Sequence, residues 1–206
     1  MKKLAFAALA AAVLCGCSDS GADKVKMITE ATFPPYEFLR GHEIVGIDVE
    51  ICRAIAQKLG REFSCETVDF DSVIPAVVSG KADLAAAGIT ITEDRKKNVD
   101  FSIPYVTTGI VVIYSKSNPY ASPAQLKGKR IGVQGGTTSE TYVLEQLGQE
   151  PERSRSPAEA VAALKAGRVD FVIADIDPAK NCIKGVQPVV KEVLDITGFS
   201  DIFTLV

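Results

Sequence analysis

The sequence predicts an α/β protein of two lobes, each a sheet flanked by helices. The 206 residues, 47% of them hydrophobic, are enough to bury a sizeable core. Apolar runs typical of strands alternate along the chain with segments of helical spacing, a pattern that favours parallel sheets covered by helices. Residues 78–84 and 165–171 share one order of features: a helix end, a glycine, a basic residue, a spacer, an aspartate and an apolar strand. This repeat indicates two similar lobes.

The first lobe is predicted over residues 24–106. A helix is expected between Asp48, a candidate N-cap, and Gly60, because apolar residues recur between them at helical spacing. A second helix is expected over residues 72–78. The predicted strands are residues 25–29, 63–68 and 84–88, with a hairpin over residues 38–45 that turns at residues 40–42.

The second lobe is predicted over residues 107–200, and residues 201–206 are expected to begin a return to the first lobe. One helix start is well marked, since Ser156, Pro157 and Glu159 form a capping-box pattern with proline in the first helical position. The predicted strands are residues 109–114, 130–133 and 169–174, and the predicted helices are residues 139–147 and 158–166.

The N-terminus has the pattern of an export signal. Residues 1–3 are cationic, and residues 4–14 form an apolar run of eleven residues, shorter than the roughly 20 needed to cross a bilayer. The following LCGC resembles a bacterial lipoprotein box, which implies a signal peptide over residues 1–16 and a tether over residues 17–23 with lipid on Cys17. The chain is then exported and lipid-anchored, in the periplasm or on the outer face of the cytoplasmic membrane. An ordinary cleaved signal with two incidental thiols is the alternative.

Composition and motifs exclude several classes of function. A net charge of −3 gives no basic face for nucleic acid, and a single histidine, without a CxxC or HExxH motif, predicts no metal site. No nucleotide-binding GxxxxGK[ST] motif occurs, and no cofactor is predicted. Cys52, Cys65 and Cys182 remain in the exported chain, where a Cys52–Cys65 disulfide and free thiols are both open.

Candidate ligand-binding residues lie where predicted strands end, because ligands of open α/β sheets bind there and at helix N-termini. Residues 135–139 (GGTTS) follow a strand and open a helix, so their amides and hydroxyls favour an anion; a flexible turn is the alternative. Residues 87–90 (AGIT) also end a strand. Arg95, just beyond them, can bind a carboxylate through two hydrogen bonds, unless it is merely solvated.

Two further features complete a hypothetical site. Asp175 ends a strand, where its carboxylate can bind an ammonium, although Asp177 competes for that role. Phe33 and Phe70 are aromatic residues on loops, suited either to flank a ligand side chain or to pack at a hinge. An anion site, a carboxylate and aromatic side chains together predict a site for an α-amino acid.

Several motifs, in order along residues 25–180, resemble family 3 of the extracellular solute-binding proteins, the polar amino-acid group. They are ATFPPYEF at residues 31–38, GIDVEI at 46–51, AGITITEDR at 87–95, DFSIPY at 100–105 and GVQGGTTS at 132–139. The resemblance implies the two-lobed type II periplasmic-binding-protein fold. It also implies a monomeric, non-enzymatic receptor that closes on an L-amino acid and presents it to an ABC permease.

The resemblance further implies which residues bind the ligand. In such proteins an arginine, with nearby amides and hydroxyls, binds the α-carboxylate, and an aspartate binds the α-ammonium. The acidic Glu30, and glutamine rather than lysine at position 134, favour arginine or lysine as the ligand, with glutamine as an alternative. The implied residues are Glu30, Phe33, Phe70, Ala87, Gly88, Thr90, Arg95, Gln134, Thr137, Thr138 and Asp175.

The sequence departs from the family at its C-terminus. Family members return to the first lobe and end in a helical segment there, whereas this sequence stops at Val206, so incomplete burial is expected on the first lobe. Two other functions remain open: an enzyme resembling cyclohexadienyl dehydratases, with Glu30 or Glu93 as the acid, and a sensory domain of a receptor kinase. His42, in a polar turn, argues against catalysis.

Overall fold

The computed structural model describes residues 24–183 and 194–195. In chain order the elements are β1 Lys24–Thr29, β2 Thr32–Phe33, β3 Glu37–Arg40, β4 Glu43–Val45, α1 Ile47–Lys58, β5 Glu62–Thr67, a 3-10 helix Phe70–Ser72, α2 Val73–Val78, β6 Leu84–Ala85, α3 Glu93–Lys96, β7 Ile110–Tyr114, a 3-10 helix Pro123–Leu126, β8 Ile131–Gln134, α4 Thr138–Gln146, β9 Glu152–Ser154, α5 Pro157–Lys165, β10 Phe171–Asp175, α6 Ile176–Ile183 and β11 Leu194–Asp195. The predicted signal peptide, the tether with Cys17 and the return over residues 201–206 lie outside the described residues.

The first lobe is built on a parallel sheet of order β5-β1-β6. Side chains of the central strand β1 alternate between its faces, as a pleated strand requires. Met27 packs with Val49 of α1 on one face, and Ile28 packs with Val73 of α2 on the other. A small antiparallel sheet of order β2-β3-β4 completes this lobe and contains the predicted hairpin.

The second lobe is built on a five-stranded sheet of order β11-β7-β10-β8-β9. β8 is parallel to β9 and β10, but β7 is antiparallel to both β10 and β11, so the prediction of parallel sheets is wrong here. All five residues of β7 are buried, and such an apolar run has the same pattern in either direction. Its direction follows instead from its connection, because the chain enters β7 from the first lobe and not over a crossover helix.

The start of α1 also differs from the prediction. Gly46, with a φ of 135°, precedes the helix, and a side chain there would collide with the Tyr36 backbone. Asp48 lies inside the first turn, is fully buried and caps no helix N–H. Aspartate is favourable both as an N-cap and in the first turn, so the sequence does not distinguish the two positions.

Four elements of the second lobe were not predicted from the sequence: β9, α6, β11 and the 3-10 helix Pro123–Leu126. β9 is the short polar stretch ERS, which lacks the apolar alternation of a strand. α6 carries Pro178 in its first turn, where proline is tolerated, although it is an unfavourable residue in a helical pattern. In the first lobe, the strand predicted over residues 84–88 is limited to β6.

The internal repeat in the sequence corresponds to the same joint in both lobes. Gly80 and Gly167 leave their helices with φ values of 74° and 71°, a left-handed conformation that glycine adopts without strain. The aspartate that follows each glycine accepts a backbone N–H from the neighbouring segment: Asp83 from Lys26 at 2.8 Å, and Asp170 from Arg130 at 2.9 Å. The repeated residues therefore fix the helix-to-strand connection.

The outer face of α1 exposes an apolar stripe. Ile47, Ile51, Ile55 and Leu59, spaced four residues apart, are 38–60% exposed. Among the described helices, none is long and apolar enough to cross a membrane.

The three cysteines that the structure describes are free thiols. Cys52 of α1 and Cys65 of β5 belong to one apolar cluster, so they are close neighbours without a bond between them. Burial raises the pKa of Cys52 to about 12 and that of Cys65 to about 11. Both thiols are therefore protonated at neutral pH and are poor nucleophiles.

Candidate functional site

One cleft between the two lobes gathers all eleven residues singled out in the sequence. They come from separate loops and strand ends of both lobes, as expected for a ligand site at the edges of α/β sheets. Glu37 and Pro178 join them. The lining residues are Glu30, Phe33, Glu37, Phe70, Ala87, Gly88, Thr90, Arg95, Gln134, Thr137, Thr138, Asp175 and Pro178.

Arg95 is held in the cleft by both lobes. It lies in α3, whose N-cap Thr92 accepts a hydrogen bond from the Arg95 N–H. Its Nη1 donates to the carbonyl of Thr90 at 2.7 Å, and its Nη2 donates to the carbonyl of Gly136 at 2.9 Å. The guanidinium also lies 5.6 Å from the ring centroid of Phe70. Arg95 is therefore oriented by the fold and is not merely solvated, as the alternative interpretation held.

Two neighbouring aspartates have different surroundings. Asp175, the last residue of β10, lines the cleft. Burial raises the pKa of Asp175 to about 6, partly opposed by the positive charge of Arg95 and reinforced by Asp177. Asp177, in the first turn of α6, instead accepts a hydrogen bond from the Tyr36 hydroxyl at 3.1 Å. Of the two acids, only Asp175 lines the cleft.

The N-terminus of α4 opens toward the cleft at Thr137 and Thr138. The Thr137 hydroxyl caps the helix and donates to the carbonyl of Gln134 at 2.7 Å. The expectation that the glycine amides before it are free is wrong. The Gly135 N–H donates to the Ser154 carbonyl, and the Gly136 N–H donates to Glu140 at 2.6 Å.

Glu30 supplies a second carboxylate to the cleft. It follows β1, is only 6% exposed, and accepts hydrogen bonds from the Thr32 hydroxyl at 2.6 and 2.7 Å. Burial raises the pKa of Glu30, while hydrogen bonds from Thr32 and Gln134 lower it. Gln134 also donates to the Arg155 carbonyl at 2.9 Å, which fixes its amide.

Glu37 was missed in the sequence. It lies in β3, has no exposed surface, and neither of its carboxyl oxygens has a hydrogen-bond donor among the described residues. Burial, followed by the nearby Asp48 carboxylate, raises the pKa of Glu37 to about 11, so it is a neutral acid at pH 7. A signal was present in the sequence, because an acidic residue inside the apolar motif FPPYEF is unusual.

Phe33 and Gly88 are in direct contact on one side of the cleft. A Cβ at Gly88, whose φ is 55°, would lie 2.3 Å from the Phe33 ring. The Phe33 ring also packs against Tyr36, with centroids 5.4 Å apart. The Thr29 hydroxyl holds the start of the same loop by donating to the Ala86 carbonyl at 2.6 Å. The absence of a side chain at Gly88 therefore lets the aromatic ring reach the loop.

The two lobes touch around the cleft. Besides the bond from Arg95 to Gly136, the Asn181 amide donates to the Pro34 carbonyl at 2.5 Å, and the Tyr36 hydroxyl donates to Asp177. No group of three or more metal-ligating side chains occurs among residues 24–183. The arrangement offers one cation, two carboxylates, hydroxyls and aromatic faces, which suits a small zwitterion.

Comparison with known proteins gives consistent matches. The model of the bacterial extracellular solute-binding proteins, family 3, matches residues 25–130. The ABC transporter arginine-binding protein 1 of Escherichia coli K12 is 38% identical over 177 residues, which cover 85% of this chain and 72% of the relative. An ancestral arginine-binding protein solved with arginine is 42% identical, with a TM-score of 0.72 over 79% of this chain and 74% of that one. An ancestral arginine-binding protein solved with glutamine is 40% identical, with a TM-score of 0.74 over 84% of this chain and 80% of that one.

Proposed function

The chain belongs to family 3 of the bacterial extracellular solute-binding proteins, and we propose that it delivers a basic L-amino acid, arginine or lysine, to an ABC importer. The observation that supports this most strongly is the balance of charge in the cleft. Arg95 and Asp175 match the α-carboxylate and the α-ammonium of any amino acid. Glu30 is an additional buried acid in the lining, and Arg95, already matched to the α-carboxylate, is the only cation among the lining residues. Glu37 adds no charge because it is neutral. A ligand with a positively charged side chain supplies a cationic partner for Glu30.

Capture works by closure of the two lobes. The ligand carboxylate competes with the carbonyls of Thr90 and Gly136 for the guanidinium of Arg95, while Asp175 of the second lobe takes the ammonium. Contacts with both lobes give the ligand a higher affinity for the closed state, and that difference in affinity is what shifts the population. The permease then recognises the closed, loaded protein.

Glutamine is the second candidate ligand. The Gln134 amide and the Thr32 hydroxyl both act at Glu30, so this end of the cleft can hydrogen-bond a neutral amide as well as a cation. A similar ancestral protein was solved with glutamine. The role of Glu30 distinguishes the two ligands, because its negative charge benefits a guanidinium or ammonium far more than an amide.

The experiment is isothermal titration calorimetry of wild-type protein, Glu30→Gln and the control Glu93→Gln with arginine, lysine and glutamine. Glu93 is a matched control because it is an exposed acid paired with Lys96 at 2.8 Å. Loss of a buried charge partner costs about 3–5 kcal/mol, so we expect arginine affinity to fall about a hundredfold or more in Glu30→Gln. Glutamine affinity should change less than about threefold. Normal arginine binding by Glu30→Gln would contradict the proposal.

We also propose that the protein is a monomer, is not an enzyme, and is lipid-anchored at Cys17 after export. Catalysis by Glu93 is disfavoured because that side chain is exposed and ion-paired, and His42 lies in the exposed hairpin turn. Turnover of prephenate or arogenate by the purified protein would overturn the non-enzymatic assignment.

Mass spectrometry of the protein isolated from membranes, compared with the Cys17→Ser variant, tests the lipid anchor: the wild type should carry acyl chains and the variant none.

A further inference from the structure

A buried polar cluster lies directly behind the cleft. It joins Glu37 of β3, Asp48 of α1, the backbone of Gly88 and the hydroxyl of Tyr105. Glu37 and Asp48 have no exposed surface. From the sequence, these four groups were not expected to act together. Two of them, Glu37 and Gly88, line the cleft.

Asp48 is the acceptor shared by the cluster. One of its carboxylate oxygens accepts the Gly88 N–H at 3.1 Å, and the other accepts the Tyr105 hydroxyl at 2.8 Å. Gly88 belongs to the loop that carries Ala87 and Thr90 in the cleft. Tyr105 belongs to the segment that leads out of the first lobe into β7 at Ile110. One buried side chain therefore connects the ligand loop with the crossing between lobes.

Glu37 is the other buried acid of the cluster, and neither of its carboxyl oxygens has a hydrogen-bond partner among the described residues. The ionisable groups that act on Glu37 are Asp48 from α1, Glu30 beyond β1 and Cys65 from β5, and none of them is a cation. An ionised Glu37 would be a buried charge without a donor, which is costly. A proton on Glu37 instead removes the repulsion between the two acids.

We propose that Asp48, supported by Glu37, is a positioning residue that holds the Gly88 loop in its ligand-binding form and couples it to Tyr105 at the crossing between the lobes. This inference rests on the proposed amino-acid binding function, but it concerns residues behind the ligand rather than those around it. Two donors, the Gly88 N–H and the Tyr105 hydroxyl, converge on one carboxylate, so the loop cannot shift away from Phe33 without leaving a buried acceptor unpaired. The position of the Gly88 amide is thus set from within the first lobe.

The test uses two readouts on the full chain: amide hydrogen exchange of Gly88 in ligand-free protein labelled with 15N-glycine, and arginine affinity by calorimetry. The variants are Asp48→Asn, Glu37→Gln and Glu37→Met. Asp83→Asn is the matched control, because Asp83 also accepts a backbone N–H, that of Lys26, before the opposite end of β6. Urea unfolding of each variant separates loss of stability from loss of affinity.

We expect Gly88 exchange to accelerate and arginine affinity to fall, each about tenfold or more, in Asp48→Asn, the loss expected for one charge-assisted hydrogen bond. Glu37→Gln keeps a neutral polar side chain in the cluster and should stay within about threefold of wild type, whereas Glu37→Met should resemble Asp48→Asn more weakly. Asp83→Asn should lower only the stability in urea unfolding and should leave Gly88 exchange and arginine affinity close to those of wild type.

Unchanged Gly88 exchange in both Asp48→Asn and Glu37→Met overturns the proposal, and so does a loss in Glu37→Gln as large as in Glu37→Met. If Asp48→Asn does not fold, the Gln and Met variants at Glu37 still decide, because the two differ in the polarity of the side chain that they place in the cluster. If the wild type binds no amino acid, the proposed function fails, while Gly88 exchange still decides the role of Asp48.

Discussion

Replacing Asp175 by asparagine should stabilise the ligand-free protein while removing ligand binding. Asp175 is mostly buried at the end of β10, and its pKa rises from 3.8 to about 6, mainly through burial. The folded state therefore binds this proton more tightly than the unfolded chain. The contribution of Asp175 to stability is fully present below pH about 4 and is lost as the pH rises through about 6.

The size of the effect follows from the pKa change. A rise from 3.8 to about 6 corresponds to about 3 kcal/mol. Asparagine does not titrate, so the free energy of unfolding of Asp175→Asn relative to wild type should increase by up to about 3 kcal/mol between pH 4 and pH 7.5. Arginine affinity at pH 7.5 should fall about a hundredfold or more, because the ligand ammonium loses its buried partner.

Urea unfolding at pH 4, 6 and 7.5 measures the first effect, and calorimetry at pH 7.5 measures the second. Asp177→Asn is the control, since Asp177 accepts from Tyr36 and does not line the cleft. That variant should bind arginine and should gain much less stability than Asp175→Asn as the pH rises, because Asp177 is only a secondary cause of the raised pKa of Asp175. A stability difference for Asp175→Asn that is independent of pH, or normal arginine binding, would refute the reasoning.

Three other substitutions test the packing. Gly46→Ala should destabilise the protein by at least about 3 kcal/mol in urea unfolding, because its Cβ would lie 2.1 Å from the Tyr36 carbonyl oxygen at a φ of 135°; a loss below about 1 kcal/mol would contradict this. Gly88→Ala should displace the Phe33 ring and weaken arginine binding about tenfold or more by calorimetry, with the fold intact by circular dichroism. Phe171→Ala, at a core position 1% exposed, should cost about 3–5 kcal/mol in urea unfolding without changing cleft residues.

The sequence was most informative where local chemistry determines structure. Helix starts at Ser156 and strand ends such as Asp175 were placed within a residue or two, because capping groups and apolar runs act over short distances. The eleven candidate residues converge on one cleft because nearly all follow strands, and strand ends meet at the edge of a sheet. Their roles in binding remain predictions for the titrations above.

What the sequence did not predict depends on contacts between distant segments. The antiparallel direction of β7 is set by its entry from the first lobe, which an apolar pentapeptide does not encode. Asp48 has the features of an N-cap, and its partners Gly88 and Tyr105 lie 40 and 57 residues away. Likewise, the Gly135 amide is not available for an anion because it donates to the carbonyl of Ser154 on β9. The Gly136 amide is the exception, since it donates to Glu140 only four residues along the chain.

The acids of the cleft show how such a protein can trade stability for affinity. Burial raises the pKa of Glu30 and of Asp175, which means that each ionised carboxylate is unfavourable in the empty, folded protein. A basic amino acid carries two cations that can offset both costs, so part of its binding free energy is relief of this destabilisation. Glu37 is buried more deeply than either acid, but as a neutral group it adds no further negative charge. This distribution of charge, with Glu37 neutral, supports the proposal of a ligand with one net positive charge.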